Sequence, residues 1–440
     1  MRSNYVLAGL TAVAALSAAS GIRFVAARVE PWPPPAILVA PDAARLASGV
    51  NLETFSATLL TRIKRFNSKP LRGSLDAFGK DRLKVWDWIY LARSAVCLYH
   101  LNHDPRLIQA VLDGAQAYET DAHRHEALEG FGWYTEDTAA HSVYREVSVT
   151  GLIIAPVIDL LLASASDPQL SVQIETKRAW LLELVRRGIA GLDRRYIEEA
   201  GRGYYLLPAG DDIEPINLMS VYATPLLGYW RLTGDGEALR EAMGIARTWK
   251  AALSIAPDGS VTWPHTARPS SIPATTNPAE SLIKAAAAIE FPLAAYRAGL
   301  VLERKDIEAL AAAPMTTLLQ QVDDSHYLLR EMVQAHLDRY VVVQDPKARS
   351  AALRPSAWYS YLCYDRRLTA ALDPYLFGLD PKFYLHDGIA MLGMAERLVI
   401  EGDPQTCAVR ANDAQARAGS AAGTVASAAA DTGTTRSILR

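Results

Sequence analysis

The sequence predicts an all-α fold of stacked helical hairpins that close around a common centre as an (α/α) toroid. Three observations indicate it. Between Leu52 and Leu398, apolar residues recur at helical spacing, and alternating strand patterns are scarce. These stretches are interrupted roughly every 15 to 25 residues by Gly, Pro, Asp or Asn, which end helices. Half of the 440 residues are apolar, so one large core can form without a long linker.

Four helical hairpins account for most of this region. The clearest joins residues 224–232 to residues 237–253 through the Thr-Gly-Asp-Gly turn at 233–236, whose residues tolerate positive φ. Its second helix carries Leu239 and Trp249 on one apolar face and is therefore predicted to pack inward. The other predicted hairpins pair 86–101 with 106–119, 142–165 with 172–197, and 280–300 with 304–322.

Short strands are expected only in the loops, at residues 203–207 and 260–263. Helices that all turn an apolar face inward curl around a centre and leave a groove where their loops meet. The chemistry of the protein is therefore expected in the loops at one end.

The two ends of the chain are expected to lie outside the toroid domain, which is assigned to residues 51–405. Residues 1–20 read as a signal peptide because Arg2 precedes about 15 apolar residues, fewer than the roughly 20 that span a bilayer. The protein is therefore expected to be exported to the periplasm or the medium. Residues 21–50 form a proline-rich strap, and residues 406–440 form an Ala/Gly/Ser/Thr tail with too few apolar groups to fold.

Charge, cysteine content and missing motifs exclude several classes of protein. A net charge of -3 provides no basic surface for nucleic acid. No phosphate-binding glycine loop, Gly-x-Ser-x-Gly elbow or His-Glu-x-x-His stretch occurs, which argues against nucleotide enzymes, serine hydrolases of that fold and zincins. No cofactor or metal is expected. His123 and His125 lack a second ligand pair at zinc-site spacing. Three cysteines give no disulfide framework, although a bridge between Cys363 and Cys407 is compatible with an oxidising compartment.

Four segments, within about residues 136–310, resemble one group of carbohydrate-active proteins. They read Ile-Asn-Leu at 216–218, Leu-Gly-Tyr-Trp-Arg-Leu-Thr-Gly-Asp at 227–235, Trp-Pro-His at 263–265 and Ala-Ala-Tyr-Arg-Ala-Gly-Leu at 294–300. The group comprises (α/α) toroid enzymes that act on uronic acid polysaccharides, including alginate and glucuronan lyases and the helical domain of glucuronyl epimerases. In one respect the chain departs from it, because Lys284 stands where many relatives carry a histidine.

The resemblance implies a polysaccharide lyase that cleaves an acidic polysaccharide by β-elimination. This reaction removes a proton from C5, which requires donors that neutralise the adjacent carboxylate and an acid–base group within hydrogen-bond reach. Asn217, His265 and Tyr296 are the predicted catalytic residues. Asn217 could alternatively serve only as a helix cap.

The predicted substrate-binding residues are aromatic, cationic or hydrogen-bonding side chains near the expected groove. Trp263 and Arg268 flank His265, although Trp263 could instead be a core residue. The positions of His141, Tyr144 and Arg145 at i, i+3 and i+4 would place them on one face of a helix start. The full predicted set is Trp133, His141, Tyr144, Arg145, Tyr222, Trp263 and Arg268.

Two alternative functions use the same scaffold. A glycoside hydrolase would need two carboxylates, drawn from Glu136, Asp137, Asp212 and Glu214. A non-catalytic glycan-binding protein of exopolysaccharide assembly is suggested by Lys284. In all three cases the expected partner is an acidic polysaccharide or oligosaccharide, and the sequence does not determine the oligomeric state.

Overall fold

A computed structural model of the chain is mostly helical, as predicted. It describes residues 38–39, 52–67, 81–124, 126, 130–137, 142–207, 212–272, 280–323, 326–329, 333, 353–378 and 387–402. The predicted signal peptide, most of the strap and the C-terminal tail lie outside these residues.

Twelve α-helices lie within the described ranges. They are α1 Leu52–Asn67, α2 Asp81–Asn102, α3 Pro105–Arg124, α4 Val147–Ser166, α5 Pro168–Ile189, α6 Ile216–Thr233, α7 Gly236–Ala252, α8 Leu282–Ala288, α9 Glu290–Arg297, α10 Arg304–Ala313, α11 Arg367–Gly378 and α12 Gly388–Gly402. A 3-10 helix, Arg354–Tyr361, follows α10 in the chain before α11, and a π-helical turn, Pro314–Leu318, directly follows α10.

The predicted hairpins are observed as α2–α3, α4–α5 and α6–α7. In the last of these, Gly234 ends α6 with a φ of 76°, a conformation that glycine adopts without steric cost. The Asp235 side chain then accepts hydrogen bonds from the amides of Glu237 and Ala238 and starts α7. The sharp turn was therefore correctly predicted from Gly and Asp.

The predicted long helix at 280–300 is divided into α8 and α9. Pro292 causes the break, because proline lacks an amide donor and its ring clashes with the carbonyl of the fourth residue before it. That residue is Ala288, where α8 ends. The predicted helix at 304–322 also ends early, at Ala313, and continues as a π turn and a strand.

Small antiparallel sheets decorate the helices. The strands are β1 Leu38–Val39, β2 Tyr134–Asp137, β3 Ser142–Arg145, β4 Tyr196–Glu199, β5 Arg202–Tyr205, β6 Ser254–Ile255, β7 Val261–Thr262, β8 Leu319–Asp323 and β9 His326–Leu329. β2 pairs with β3, β4 with β5 and β6 with β7, while β1, β9 and β8 form a three-stranded sheet in that order. The short strands predicted near 203–207 and 260–263 correspond to β5 and β7.

The helices contact one another in a cyclic order. α2 packs against α4, α4 against α6, and α6 against α8 and α9. α8 then contacts the 3-10 helix, which contacts α12, and α12 returns to α2. Helices α3, α5 and α7 each pack against the first helix of their own hairpin. The principal core lies among these contacts and includes the fully buried side chains of Trp88, Trp249 and Trp358.

The contact between α4 and α6 is close because glycines face it. A methyl group at Gly151 would lie 2.5 Å from the Tyr222 Cα, and one at Gly228 would overlap the Ile158 side chain.

α4 is also long and apolar enough to cross a membrane, with a mean hydropathy of 2.1 over its most apolar stretch. However, 89% of this most apolar stretch of α4 is buried inside the protein. In this structure α4 is therefore a core helix.

Candidate functional site

The loop that carries His265 lies against the starts of two neighbouring helices. The main-chain oxygen of His265 accepts a hydrogen bond from the amide of Ile216, the first residue of α6, at 2.9 Å. The main-chain oxygen of Trp263 accepts one from the amide of Glu280, just before α8, at 3.1 Å. The segments that carry Asn217 and His265 are therefore adjacent in the fold.

The His265 side chain lies between a carboxylate and an ammonium group. Its Nδ1 is 3.2 Å from Oε1 of Glu280, and its Nε2 is 3.1 Å from Nζ of Lys284. Glu280 is fully buried and also accepts a hydrogen bond from the amide of Ser281 at 3.0 Å. Because a carboxylate only accepts, Nδ1 of a neutral His265 donates to it and Nε2 is the basic nitrogen.

Asn217 occupies the second position of α6 and is 4% exposed. Its Oδ1 is buried and accepts no hydrogen bond from a described residue. The alternative role as a helix cap is not observed, since Pro215 is the cap residue and no side-chain cap bond is formed. A buried amide oxygen without a partner costs about 1–3 kcal/mol, which a polar ligand group would offset.

Arg268 is engaged with the protein itself. Its guanidinium binds Asp212 through two hydrogen bonds, the longer of which joins Nη2 to Oδ2 at 3.0 Å. The guanidinium side chain is mostly buried, and its charge is balanced by this carboxylate. Arg268 thus fixes the loop after His265, and its predicted role in substrate binding stays a prediction.

Trp263 and Trp133, the two tryptophans predicted to bind substrate, are core residues. Trp263 is 1% exposed and packs against Trp249, with the ring centroids 5.4 Å apart. Trp133 is equally buried, and its Nε1 donates to the main-chain oxygen of Tyr118 at 2.9 Å. Neither indole presents a face on which a sugar could stack, so both substrate-binding assignments are wrong for this structure.

Tyr296 is the penultimate residue of α9, whereas Lys284 is near the start of α8. The Tyr296 ring packs against that of Tyr364, with the ring centroids 5.8 Å apart. The structure thus shows a packing contact for Tyr296, and its catalytic role stays a prediction.

Tyr222 is buried beside a second polar cluster. Its ring meets that of Tyr205 edge to face, and the Tyr205 hydroxyl donates to the Glu241 carboxylate. Burial raises the pKa of the Tyr222 hydroxyl well above its ordinary value. Tyr222 and Glu241 line a cavity of about 290 Å³. Burial thus favours the protonated form of the Tyr222 hydroxyl, and its substrate-binding role stays a prediction.

The expected helical face at 141–145 is not formed. His141 lies outside the described residues, and only the backbone of Tyr144 is described. Residues 142–145 form strand β3, in which consecutive positions belong to opposite faces. Tyr144 and Arg145 therefore do not share a face. Arg145 lines a separate arginine-rich pocket.

Glu280 was not predicted as a functional residue, and Lys284 was noticed only as a departure from the resembling family. One sequence signal could have found the pair: they are four residues apart, the spacing at which side chains meet at a helix start. Two of the four carboxylates considered for a hydrolase are ion-paired within the protein. Glu214 is ion-paired to Arg195 at 2.7 Å and Asp212 to Arg268, while the side chains of Glu136 and Asp137 lie outside the described set.

The described residues include no group of His, Cys, Asp or Glu side chains that could hold a metal ion. The site thus consists of a histidine oriented by a buried carboxylate, an exposed lysine and a buried asparagine. Models of known protein families, curated proteins and solved structures provide no match to this chain.

Proposed function

We propose that the protein is a lyase of uronic-acid-containing polysaccharides on an (α/α) toroid scaffold. The observation that supports this best is the line of Glu280, His265 and Lys284 beside the start of α6. His265 provides a base whose tautomer is fixed by Glu280, and Lys284 provides a cation next to it. The cyclic order of helix contacts supports the toroid, since it is the order that stacked hairpins closing into a ring would have.

In the proposed reaction His265 removes the C5 proton of a uronate. The C5–H electron pair forms the C4=C5 double bond, and the C4–O4 bond breaks with its electrons passing to O4. The imidazolium then returns its proton to O4. Glu280 supports both steps because it holds Nδ1 and stabilises the positive charge on the ring.

Lys284 and Asn217 are assigned to the substrate carboxylate. The C5 proton becomes removable only when this carboxylate is neutralised. Lys284 is exposed and its ammonium contacts Nε2 of His265 in the free protein. Moving that ammonium onto the carboxylate would neutralise it and release Nε2 to accept the proton. Asn217 would donate a hydrogen bond from its amide nitrogen to the same carboxylate, and its unpaired Oδ1 would accept one from a sugar hydroxyl.

Product analysis tests the lyase assignment. We expect the wild-type protein, incubated with glucuronan, alginate and related acidic glycans, to produce near-ultraviolet absorbance and reducing ends in equal amounts. His265→Ala should reduce both by about 10²-fold or more. His100→Ala, at an exposed histidine near the end of α2, is the matched control and should retain activity. Reducing ends without absorbance would indicate a hydrolase, and binding without either product a glycan-binding protein; both would refute the proposal.

Substitution of Lys284 tests the assignment of the cation. Lys284→His restores the residue of the resembling family and keeps a hydrogen-bond donor, whereas Lys284→Ala removes it. We expect Lys284→His to retain more activity than Lys284→Ala, with the difference largest at a pH where histidine is protonated. Equal activity of the two variants would remove Lys284 from the reaction.

Export of the protein is part of the proposal. Cys363 is disulfide-bonded to a partner outside the described residues, whereas Cys97 is not part of a disulfide. Structural disulfides persist mainly in oxidising compartments, which agrees with the signal peptide expected at residues 1–20. Mass spectrometry of the mature N-terminus from the exported fraction would test it, and an intact Met1 in the cytoplasm would contradict it.

A further inference from the structure

A pocket of about 710 Å³ lined by arginines lies between the end of α5 and the β2–β3 hairpin. Its volume is within the range of small-ligand sites. Its lining contains five arginines and one carboxylate, that of Glu126. We call this cavity the arginine pocket. Its arginines are Arg145, Arg186, Arg187, Arg194 and Arg195.

The dipole of α5 explains only part of this charge. Arg186 and Arg187 lie in its last turn, where cations are favoured. Arg194 and Arg195 follow the helix, and Arg145 comes from the end of β3, so the helix dipole does not account for these three. The concentration of cations from three parts of the chain is typical of an anion-binding surface.

The ion pairs within the pocket leave positive charge available. Arg187 binds Glu126, while Arg186 and Arg195 bind Glu183 and Glu214, neither of which lines the cavity. Arg194 is exposed and forms no ion pair or hydrogen bond with a described residue. An anion entering the cavity would therefore meet more guanidinium groups than carboxylates.

Two glycines make room for the guanidinium of Arg145. A side chain at Gly132 would overlap this group, and Gly191, with a φ of 88°, passes close to it. The guanidinium donates hydrogen bonds to the main-chain oxygens of Gly188 and Ala190. Arg145 is thus held in one position before any ligand arrives, which lowers the entropy cost of binding.

Arg187 is also held in place. Its guanidinium stacks on the ring of Phe131, with its carbon 3.9 Å from the ring centroid. Arginine in such a stacked position presents its planar set of donors to carboxylates and sulfates.

The pocket is joined to the His265 site by a chain of contacts. Arg195 donates to the main-chain oxygen of Arg145 at 2.6 Å and binds Glu214. Glu214 precedes Ile216 by two residues, and the amide of Ile216 binds His265. The arginine pocket and the His265 site are therefore connected through the segment that leads into α6.

We infer that the arginine pocket binds a segment of anionic polysaccharide outside the reaction centre, with arginines facing the carboxylates or sulfates of successive sugars. This rests on the proposed function for the identity of the polymer. A chain with one charge per sugar suits the pocket because its arginines are spread over several positions. The segment bound there holds a long chain while another part of it occupies the His265 site.

Binding measurements in the His265→Ala background, where a cleavable chain stays intact, test the inference. The probe is a fluorescent glucuronic acid hexasaccharide, followed by anisotropy. We expect Arg186→Ala with Arg194→Ala to raise the Kd by about tenfold or more. Both are exposed side chains, and circular dichroism would verify that the fold is retained.

The matched control is Arg304→Ala with Arg367→Ala, two exposed arginines with carboxylate partners elsewhere in the chain. This control should bind as the parent does, and a neutral glucose hexasaccharide should not bind. A sulfated hexasaccharide of equal length shows which anionic group is preferred. If the pocket variant binds the probe as tightly as the control, the inference is refuted.

The two proposals can fail separately. If the wild type cleaves nothing but binds the hexasaccharide through Arg186 and Arg194, the lyase assignment is wrong and the arginine pocket stands. If the wild type cleaves the polymer and binding does not depend on these arginines, the reverse holds.

Discussion

Two clusters of charged side chains differ in their surroundings although they contain similar groups. In the first, Arg93 of α2 binds Asp159 of α4 and Glu290 of α9 between three helices, and its side chain is 8% exposed. In the second, His265 lies between Glu280 and Lys284 at the start of a helix. The first cluster has its cation enclosed by two carboxylates, whereas the second has its cation at the surface. Removing the enclosed cation would leave its two carboxylates unpaired, whereas the exposed lysine of the second cluster can turn toward a ligand.

The largest expected effect is on stability and comes from the Arg93 cluster. Arg93→Met would leave two carboxylates close together without a cation, and removing one member of a buried ion pair costs about 3–5 kcal/mol. Urea unfolding should show this loss. Arg304→Ala, an exposed arginine in an i,i+4 pair, should change the free energy of unfolding by less than about 0.5 kcal/mol. A small effect of Arg93→Met would mean that the two clusters do not differ as described.

The second prediction concerns the buried carboxylate of the His265 site. Glu280→Gln keeps the shape and can still accept from the Ser281 amide, but it no longer stabilises a positive imidazole. We expect turnover of an acidic glycan to fall by about 10²-fold or more, with KM and stability changed much less. Kinetics across pH and urea unfolding of the same variant would measure both. A stability loss as large as that of Arg93→Met would make Glu280 a structural residue.

Glu241 represents a third case, a buried carboxylate without a cation in ion-pair contact among the described residues. Burial raises the pKa of its carboxyl from 4.5 to about 7, so the folded state holds the proton more tightly than the unfolded chain. Its contribution to stability is complete below pH 4.5 and is lost as the pH rises toward 7. The loss is at most about 3 kcal/mol.

Glu241→Gln should remove this dependence, because the amide stays neutral and can still accept from the Tyr205 hydroxyl. The free energy of unfolding, measured from pH 4 to 8, should fall in the wild type and be flatter in the variant. Glu237→Gln, at an exposed position on the same helix, is the control. Parallel curves for Glu241→Gln and the wild type would contradict the prediction.

The sequence predicted local features of the fold better than the contacts that form the site. Gly234 and Asp235 have local effects on the backbone, so the α6–α7 turn could be read directly. The break before Pro292 was equally readable but was overlooked. Arg93 and Glu290, in contrast, are 197 residues apart, and no local pattern relates them.

The same limit applied to the candidate site. His265 was chosen for its chemistry, but its buried partner Glu280 depends on how the loop folds onto α8. Trp263 illustrates the difficulty. An indole two residues from a titratable group could equally well stack against a sugar ring or fill the hydrophobic core. Burial decides between them, and burial of a loop residue is set by tertiary packing.

The smallest expected effect comes from a charge at a helix start that has only a structural role. The Asp167 carboxylate accepts hydrogen bonds from the amides of Gln169 and Leu170, at 2.9 and 3.1 Å, and starts α5. Asp167→Ala should cost about 1 kcal/mol, the usual value for a lost cap, in urea unfolding. Turnover should be unchanged, because Asp167 belongs neither to the His265 site nor to the arginine pocket, which adjoins the other end of α5. Position at a helix start is therefore not sufficient for chemistry: His265 differs from Asp167 in having one ring nitrogen held by a buried acid and the other beside an exposed cation.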